Sequence, residues 1–348
     1  MRVVTLAGGT GAAKLLRGLA ACVPQRDLTV IGNTGDDTEI WGLHVSPDLD
    51  TVTYALAGTL DVERGWGLAD ETFQCLRGMA AYGADTWFNL GDRDLATHLT
   101  RTRALRDGQP LSGVTARLAA SLGVAARILP MSDDPVRTMI QTLGGRLTFQ
   151  EYFVREKALV DVVGVDYEGA TAARPAPGVL DAIRTADLVV VCPSNPVTSV
   201  GPILAVPGIA DALGATPAPV VGVSPIVGGA AVSGPAAALM RARGLPISPL
   251  GVAAAYAPWL RHLLIDRSDL ACVAELGELG VEADMADIVM KSRAHETELA
   301  RRVLEPRGAR RRPSRGGSAS HSTAGGWGPC VRGEQDGDRP AGRDATTE

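Results

Sequence analysis

The sequence predicts a doubly wound α/β fold: a mostly parallel central sheet, helices on both faces and a small additional subdomain. Three observations predict it. Short, nearly continuous apolar runs recur along the chain, as in strands buried on both faces. Longer segments of helical period alternate with them, the pattern of repeated strand–helix–strand crossovers. Glycine-rich or polar clusters follow several of the apolar runs, where sheets of this kind bind their ligands.

The first apolar run, Val3–Ala7, is expected to be a buried strand leading through Gly8-Gly9-Thr10-Gly11 into a helix over Ala12–Ala21. Leu28–Gly32 repeats the strand pattern and runs into the polar segment Asn33–Asp37. A helix is expected over Asp70–Tyr82, a strand over Thr86–Leu90, and a helix over Asp92–Thr102 with Asp92 as a possible cap. Leu111–Leu122 reads as helix and Arg127–Pro130 as strand. Ser132-Asp133-Asp134-Pro135 has the form of a helix start, with proline in the first turn, and predicts a helix over Asp134–Leu143. Thr148–Val154 and Val160–Val165 are more amphipathic and predict a small antiparallel excursion, an inserted subdomain at about 145–180. Helix Gly178–Arg184, strands Leu188–Cys192 and Val220–Ser224, helix Pro235–Arg243 and strand His262–Ile265 complete the alternation.

With 348 residues, 45% of them hydrophobic, the chain is long enough for a sizeable core. One domain is expected over 1–305. Residues 306–348 are rich in Arg, Gly, Ser, Pro and Asp and lack core-forming side chains, so a disordered tail is expected there, with Arg307–Arg315 as solvated charge. The net charge of −5 argues against a general nucleic-acid binder. Five scattered cysteines with no C-x-x-C suggest neither a disulfide framework nor a zinc site, and a cytoplasmic setting is expected. No apolar stretch approaches a membrane span, and no leader is expected before the first strand.

The chemistry concentrates in the first fifty residues. Small residues at Gly8–Gly11 let backbone N–H groups approach a phosphate at a helix N-terminus, although the same turn also serves as a tight strand-to-helix connection. Lys14 follows on the first helical turn. Asp36, Asp37, Asp48 and Asp50 then supply carboxylates near the same strand ends, and Mg²⁺ takes hard oxygen ligands and bridges to phosphate. In an extended stretch, Asp48 and Asp50 would point to the same side. Further polar or glycine-rich loops are Asn89–Asp94, Cys192–Pro202 and Ser224–Gly229. Cys192 reads as a buried strand residue, and no histidine motif for general-base catalysis stands out.

Together these segments closely resemble the 2-phospho-L-lactate transferase family of deazaflavin coenzyme biosynthesis. The matching residues are Gly8-Gly9-Thr10-Gly11 with Lys14, Gly32–Asp37, Ser46–Thr51, Trp87–Asp94, Ser194–Pro202 and Ser224–Gly229, in family order over about residues 1–300. The resemblance implies a Rossmann-like core, Mg²⁺ dependence and a homodimer. It implies transfer of a 2-phospho-L-lactyl or phosphoenolpyruvyl group from a guanylyl-diphospho donor to the ribityl hydroxyl of 7,8-didemethyl-8-hydroxy-5-deazariboflavin. GMP leaves, and coenzyme F-420-0 or its dehydro form results; the composition suggests the enolpyruvyl branch. Asp50 would hold Mg²⁺, with Asp36 or Asp37, and these three are the candidate catalytic carboxylates. Gly8, Gly9, Thr10, Gly11 and Lys14 would hold the diphosphate. Asn33, Asp50, Asn89 and Asp92, with Ser194, Asn195, Pro196, Ser199, Gly228 and Gly229, complete the expected substrate contacts. Asp50 and Asn89 correspond to the family's deazaflavin-contacting positions; Asn89 departs from the arginine common in archaeal members. The other reading is a non-catalytic nucleotide-sugar-binding regulator of the same superfamily, which shares the Gly-Gly-Thr-Gly start. A nicotinamide-dependent oxidoreductase is disfavoured because the glycine spacing is not G-x-G-x-x-G.

Overall fold

The computed structural model describes residues 1–305; the expected tail over 306–348 lies outside the described residues. The strands, in chain order, are β1 (Val3–Ala7), β2 (Leu28–Gly32), β3 (Thr38–Ile40), β4 (Leu43–Val45), β5 (Arg127–Pro130), β6 (Arg137–Thr142), β7 (Gly145–Thr148), β8 (Val162–Glu168), β9 (Leu188–Val191), β10 (Val220–Val223), β11 (Ile226–Val227), β12 (Ala230–Ala231), β13 (His262–Ile265) and β14 (Glu282–Met285). Seven of them form one parallel sheet in the order β14-β13-β10-β9-β1-β2-β5. Valine, leucine and isoleucine dominate six of these strands, which are covered on both faces; the edge strand β14 has none and is only partly buried. Val4, Leu6, Val189 and Val191 belong to one apolar layer, and Val3, Ala7, Leu188 and Val190 to the other.

The chain leaves β1 toward β2 and β5 on one side, then returns to place β9 on the other. Strand order therefore reverses at β1, and a crevice opens at the carboxyl ends of β1 and β9, where such sheets bind ligands. Helix α1 (Gly9–Cys22) starts at that crevice, and α2 (Pro47–Ala57) packs beside it through Leu49 and Val52. Helix α3 (Gln74–Ala81) buries none of its residues, α4 (Asp94–Arg106) packs on β4 and on the next helix, and α5 (Leu111–Ser121) packs on β5. The last helix of the described residues, Arg293–Leu304, lies against α1, where a Cβ at Gly18 would collide with the Glu296 carbonyl and where Arg17 pairs with Glu296 in a buried ion pair.

Several expectations are corrected. Thr86–Leu90 is not a strand but a loop, in which Trp87 and Phe88 meet edge to face with centroids 5.6 Å apart. The expected helix over Asp134–Leu143 is strand β6: Val136, Thr138 and Ile140 are buried at period two, and Arg137–Thr142 pairs with β7 and β8 in a three-stranded antiparallel sheet. The Ser132–Pro135 segment caps no helix of its own; Ser132 accepts from Asp134 N at 3.0 Å, and Asp133 instead caps α5 through Ser112 N at 2.6 Å. The antiparallel excursion exists, but Glu151–Arg155 within it is a single π-helical turn.

The most consequential correction is α2. Ser46-Pro47-Asp48-Leu49-Asp50 starts a helix instead of an extended stretch, with proline in its first turn, two acidic residues where the helix dipole favours them, and Gly58 ending it in a left-handed conformation. Two positions apart on a helix are about 200° apart in direction, so Asp48 and Asp50 face different partners.

Candidate active site

A cleft of about 550 Å³ occupies the crevice. Gly8–Gly11, Lys14, Asp36, Asp48, Asp50, Asn89, Ser194, Asn195 and Ser199 line it, so the structure brings most of the expected site residues together.

The glycine turn needs its glycines. Gly9 has φ +72°, a left-handed conformation that costs an L side chain strain. A Cβ on Gly11 would run into the Pro193 carbonyl oxygen, and one on Gly8 would lie 2.5 Å from Asp48 Oδ2. Ser194 Oγ donates to Gly8 O at 2.8 Å and ties the turn to the loop after β9. Lys14 Nζ donates to Met290 O at 3.4 Å.

Asp48 closes the mouth of α1. Its Oδ1 accepts from Gly9 N at 2.7 Å and its Oδ2 from Asn33 Nδ2 at 2.8 Å. Burial, opposed by those two hydrogen bonds, pushes its pKa up to about 6. Asp36 is pushed well above the usual carboxylate range, first by burial and then by the charge of Asp48. Its Oδ1 is buried without a hydrogen-bond partner in the protein. Two buried carboxylates opposing each other beside a helix N-terminus suit a shared cation or proton.

Asp50 lies in a separate network. Arg101, itself 2% exposed, grips both its oxygens, one contact measuring 3.0 Å. His98 lies 3.7 Å from Asp50 on one ring nitrogen and 3.3 Å from Asp94 on the other. Tyr54 donates to Asp94 at 2.6 Å. Burial raises the Asp94 pKa, yet the His98 ring and the Tyr54 hydroxyl outweigh it and hold the carboxyl below its ordinary value. His98 at four residues from Asp94 and Arg101 at three from His98 share one face of α4; that helical spacing was the signal in the sequence for these missed residues.

The remaining expected residues are held by structural hydrogen bonds, and of them only Asn195 also lines the cleft. Asp37 is buried behind it, accepting from Ser46 Oγ at 2.8 Å and lying 3.0 Å from His44 Nε2; burial raises its pKa against those partners. Asn33 is a positioning residue: one amide holds Asp48 and the Thr198 carbonyl while its oxygen accepts from Gly35 N at 2.8 Å. Asp92 caps α3, accepting from Gln74 N and Cys75 N at 2.9 Å each. Asn195 Oδ1 accepts from Val197 N at 2.9 Å and starts the π-helical turn Pro196–Val200, within which Pro196 is buried. Gly228 and Gly229 form the tight two-residue turn between β11 and β12, both with positive φ, and Gly228 N donates to Asp269. Cys192 is buried at the end of β9, and burial raises its thiol pKa.

The walls of the cleft are aromatic. Phe149 and Phe153 stack with centroids 5.5 Å apart, and Phe88 and Trp66 line the same space. Among the described residues, no group of three or more His, Cys, Asp or Glu side chains is arranged to hold a metal, and no single helix is long and apolar enough to cross a membrane.

Fold and cleft together define a doubly wound α/β protein with a ligand-sized site at its topological switch point, lined by carboxylates and a glycine turn. The chain belongs to the 2-phospho-L-lactate transferase CofD family, whose model matches residues 3–299. It is 47% identical over 311 residues to a phosphoenolpyruvate transferase of Streptomyces griseus subsp. griseus, covering 88% of this chain and 98% of the relative. It is 42% identical over 302 residues to a 2-phospho-L-lactate transferase of Methanosarcina acetivorans, covering 87% and 98%. A solved structure of a member of the UPF0052 family from Bacillus halodurans superposes with a TM-score of 0.59 at 19% identity, over 87% of this chain and 98% of that one, and bears out the fold. The protein is thus a CofD-type transferase.

Proposed function

We propose that this enzyme moves a phosphoenolpyruvyl or 2-phospho-L-lactyl group from a guanylyl-diphospho donor to the ribityl hydroxyl of 7,8-didemethyl-8-hydroxy-5-deazariboflavin. The acceptor oxygen attacks the distal phosphorus, the bond from that phosphorus to the bridging oxygen breaks, and GMP leaves with the bridging oxygen. The observation that carries the reading is the meeting of the α1 N-terminus with Asp36 and Asp48 in one cleft large enough for a nucleotide and a flat acceptor. Identity above 40% to named transferases supports the same chemistry, and the first of these relatives favours the enolpyruvyl donor.

The residues present fit Mg²⁺, which commonly takes one or two carboxylates together with substrate phosphates. Asp36, with its unpartnered buried oxygen, and Asp48 are the proposed ligands. Asp50 is a weaker choice than the sequence suggested, because Arg101 already neutralises it. When bound, the cation supplies charge neutralisation at the transferred phosphoryl group. The free N–H groups of the first turn of α1 hold the diphosphate, Ser194 and Asn195 face the nucleoside, and Asp50 and Asn89 face the acceptor. Positioning and electrostatics supply most of the rate, and an ionised carboxylate of the Asp36–Asp48 pair can take the hydroxyl proton. The expected localisation is cytoplasmic and the expected assembly a homodimer.

Acceptor dependence tests the reading. With donor and Mg²⁺, GMP is expected only when the deazaflavin is also present. Tight donor binding without turnover would favour the nucleotide-sugar-binding regulator instead.

A further inference from the structure

We infer that Trp66, backed by Arg64, is the stacking platform that selects a flat fused-ring acceptor. The inference rests on the transferase reading and adds the residue that recognises the acceptor's rings.

Trp66 stands on a loop over the cleft that is fastened at its base. Leu60 and Leu68 bridge across it, and Asp61 N donates to Gly67 O at 3.1 Å. Asp61 Oδ1 accepts from Glu63 N and Arg64 N at 3.0 and 2.9 Å. Gly65 and Gly67, both at positive φ, turn the chain sharply on either side of the indole. Gly65 packs so closely on Thr10 that a Cβ there would lie 2.5 Å from Thr10 Cγ2, which places the loop directly beside the glycine turn.

Arg64 covers one face of the indole, its guanidinium carbon 5.3 Å from the ring centroid and equally 5.3 Å from the Phe73 ring. The guanidinium is itself held by the Leu68 carbonyl at 2.8 Å and by Asp61. Yet Trp66 remains 37% exposed and lines the cleft. A large apolar ring fixed in orientation, supported on one side and open to a ligand site is what stacking on a planar ligand requires.

Topology selects the acceptor over the guanine. Trp66, Phe88, Asn89 and Asp50 all come from the chain between β2 and β5, on one side of β1. Ser194, Asn195 and Ser199 follow β9 on the other side. With the diphosphate on α1 between the two halves, nucleoside and acceptor fall on opposite sides, and Trp66 falls with the acceptor.

The experiment compares wild type, Trp66→Phe and Trp66→Ala in the full chain, titrated separately with the deazaflavin alcohol and with GDP plus Mg²⁺. Indole emission reports contact, and equilibrium dialysis reports affinity. The deazaflavin is expected to quench wild-type emission, and Trp66→Ala is expected to lose that quenching and at least about tenfold in deazaflavin affinity. GDP affinity should stay within about twofold, which also shows that the variant is folded, and Trp66→Phe should retain most of the affinity. A larger loss for GDP than for the deazaflavin, or equal deazaflavin affinity in wild type and Trp66→Ala, overturns the inference. Failure of wild type to bind the deazaflavin at all is a different result: it overturns the acceptor assignment itself, and the platform with it.

Discussion

Asp48 accepts the Gly9 backbone N–H at 2.7 Å, so a carboxylate on α2 sits at the N-terminus of α1, where a phosphate is expected. Asp36 faces the same place and is left with a buried oxygen lacking a protein partner. The pair, instead of Asp50, is therefore the proposed cation site. Asp36→Asn and Asp48→Asn should each lose at least about 10²-fold in turnover, close to 3 kcal/mol of barrier, and should lose Mn²⁺ binding measured by electron paramagnetic resonance in the presence of GDP. Unaltered Mn²⁺ affinity in both variants would move the cation elsewhere.

Asp50 should behave differently. Its buried pairing with Arg101 means that removing either partner strands a charge, at a cost of about 3–5 kcal/mol. Asp50→Asn and Arg101→Met are both expected to melt well below wild type while Mn²⁺ binding in the folded fraction survives. Asp50→Asn with wild-type thermal stability would show that the pair contributes nothing.

The glycine turn gives two distinguishable variants. Gly11→Ala places a Cβ against the Pro193 carbonyl, so it should displace the loop after β9, weaken GDP binding and cost about 1–3 kcal/mol of stability. Gly9→Ala meets no neighbour within 4 Å but is strained at φ +72°, for roughly 1–2 kcal/mol. Calorimetry with GDP and thermal melts separate the two; wild-type GDP affinity in folded Gly11→Ala would remove the close-approach argument.

A stability-versus-pH measurement tests the carboxylate environment. Burial raises Asp48 from the model-peptide value of 3.8 to about 6 in the folded protein. A raised folded-state pKa favours folding fully below the unfolded value and loses that contribution as pH rises through the folded one. In metal-free protein, wild type should therefore lose stability relative to Asp48→Asn between about pH 4 and pH 6, with Mg²⁺ plus GDP reversing the loss. Parallel melting curves for the two proteins across that range would refute the burial argument.

The sheet was largely legible in the chain because six of its seven strands are apolar: Val3–Ala7, Leu28–Gly32, Arg127–Pro130 and His262–Ile265 lie where the residues imply, whereas the polar, partly exposed edge strand Glu282–Met285 carries no such pattern. Asp134–Leu143 was misread because the proline-led cap pattern outweighed the period-two burial of Val136, Thr138 and Ile140, which only the neighbouring strands explain. The glycine turn and Asp36 were legible as local chemistry. The division of labour between Asp48 and Asp50 was not, because it depends on α2 being helical and on Arg101, about fifty residues further along. Gly228-Gly229 shows the converse: paired glycines read the same whether they serve a ligand or a turn, and here they make the hairpin turn between β11 and β12, outside the cleft lining.

The transfer itself can be followed atom by atom. Purified protein is incubated with Mg²⁺, the deazaflavin carrying ¹⁸O in its terminal ribityl hydroxyl, and a synthetic guanylyl-diphospho enolpyruvyl or lactyl donor, and the products are identified by mass. Equal amounts are expected of unlabelled GMP and of a deazaflavin phosphodiester that retains the ¹⁸O and carries the enolpyruvyl or lactyl group. A deazaflavin bearing GMP, or GMP formed with no deazaflavin phosphodiester, would contradict it.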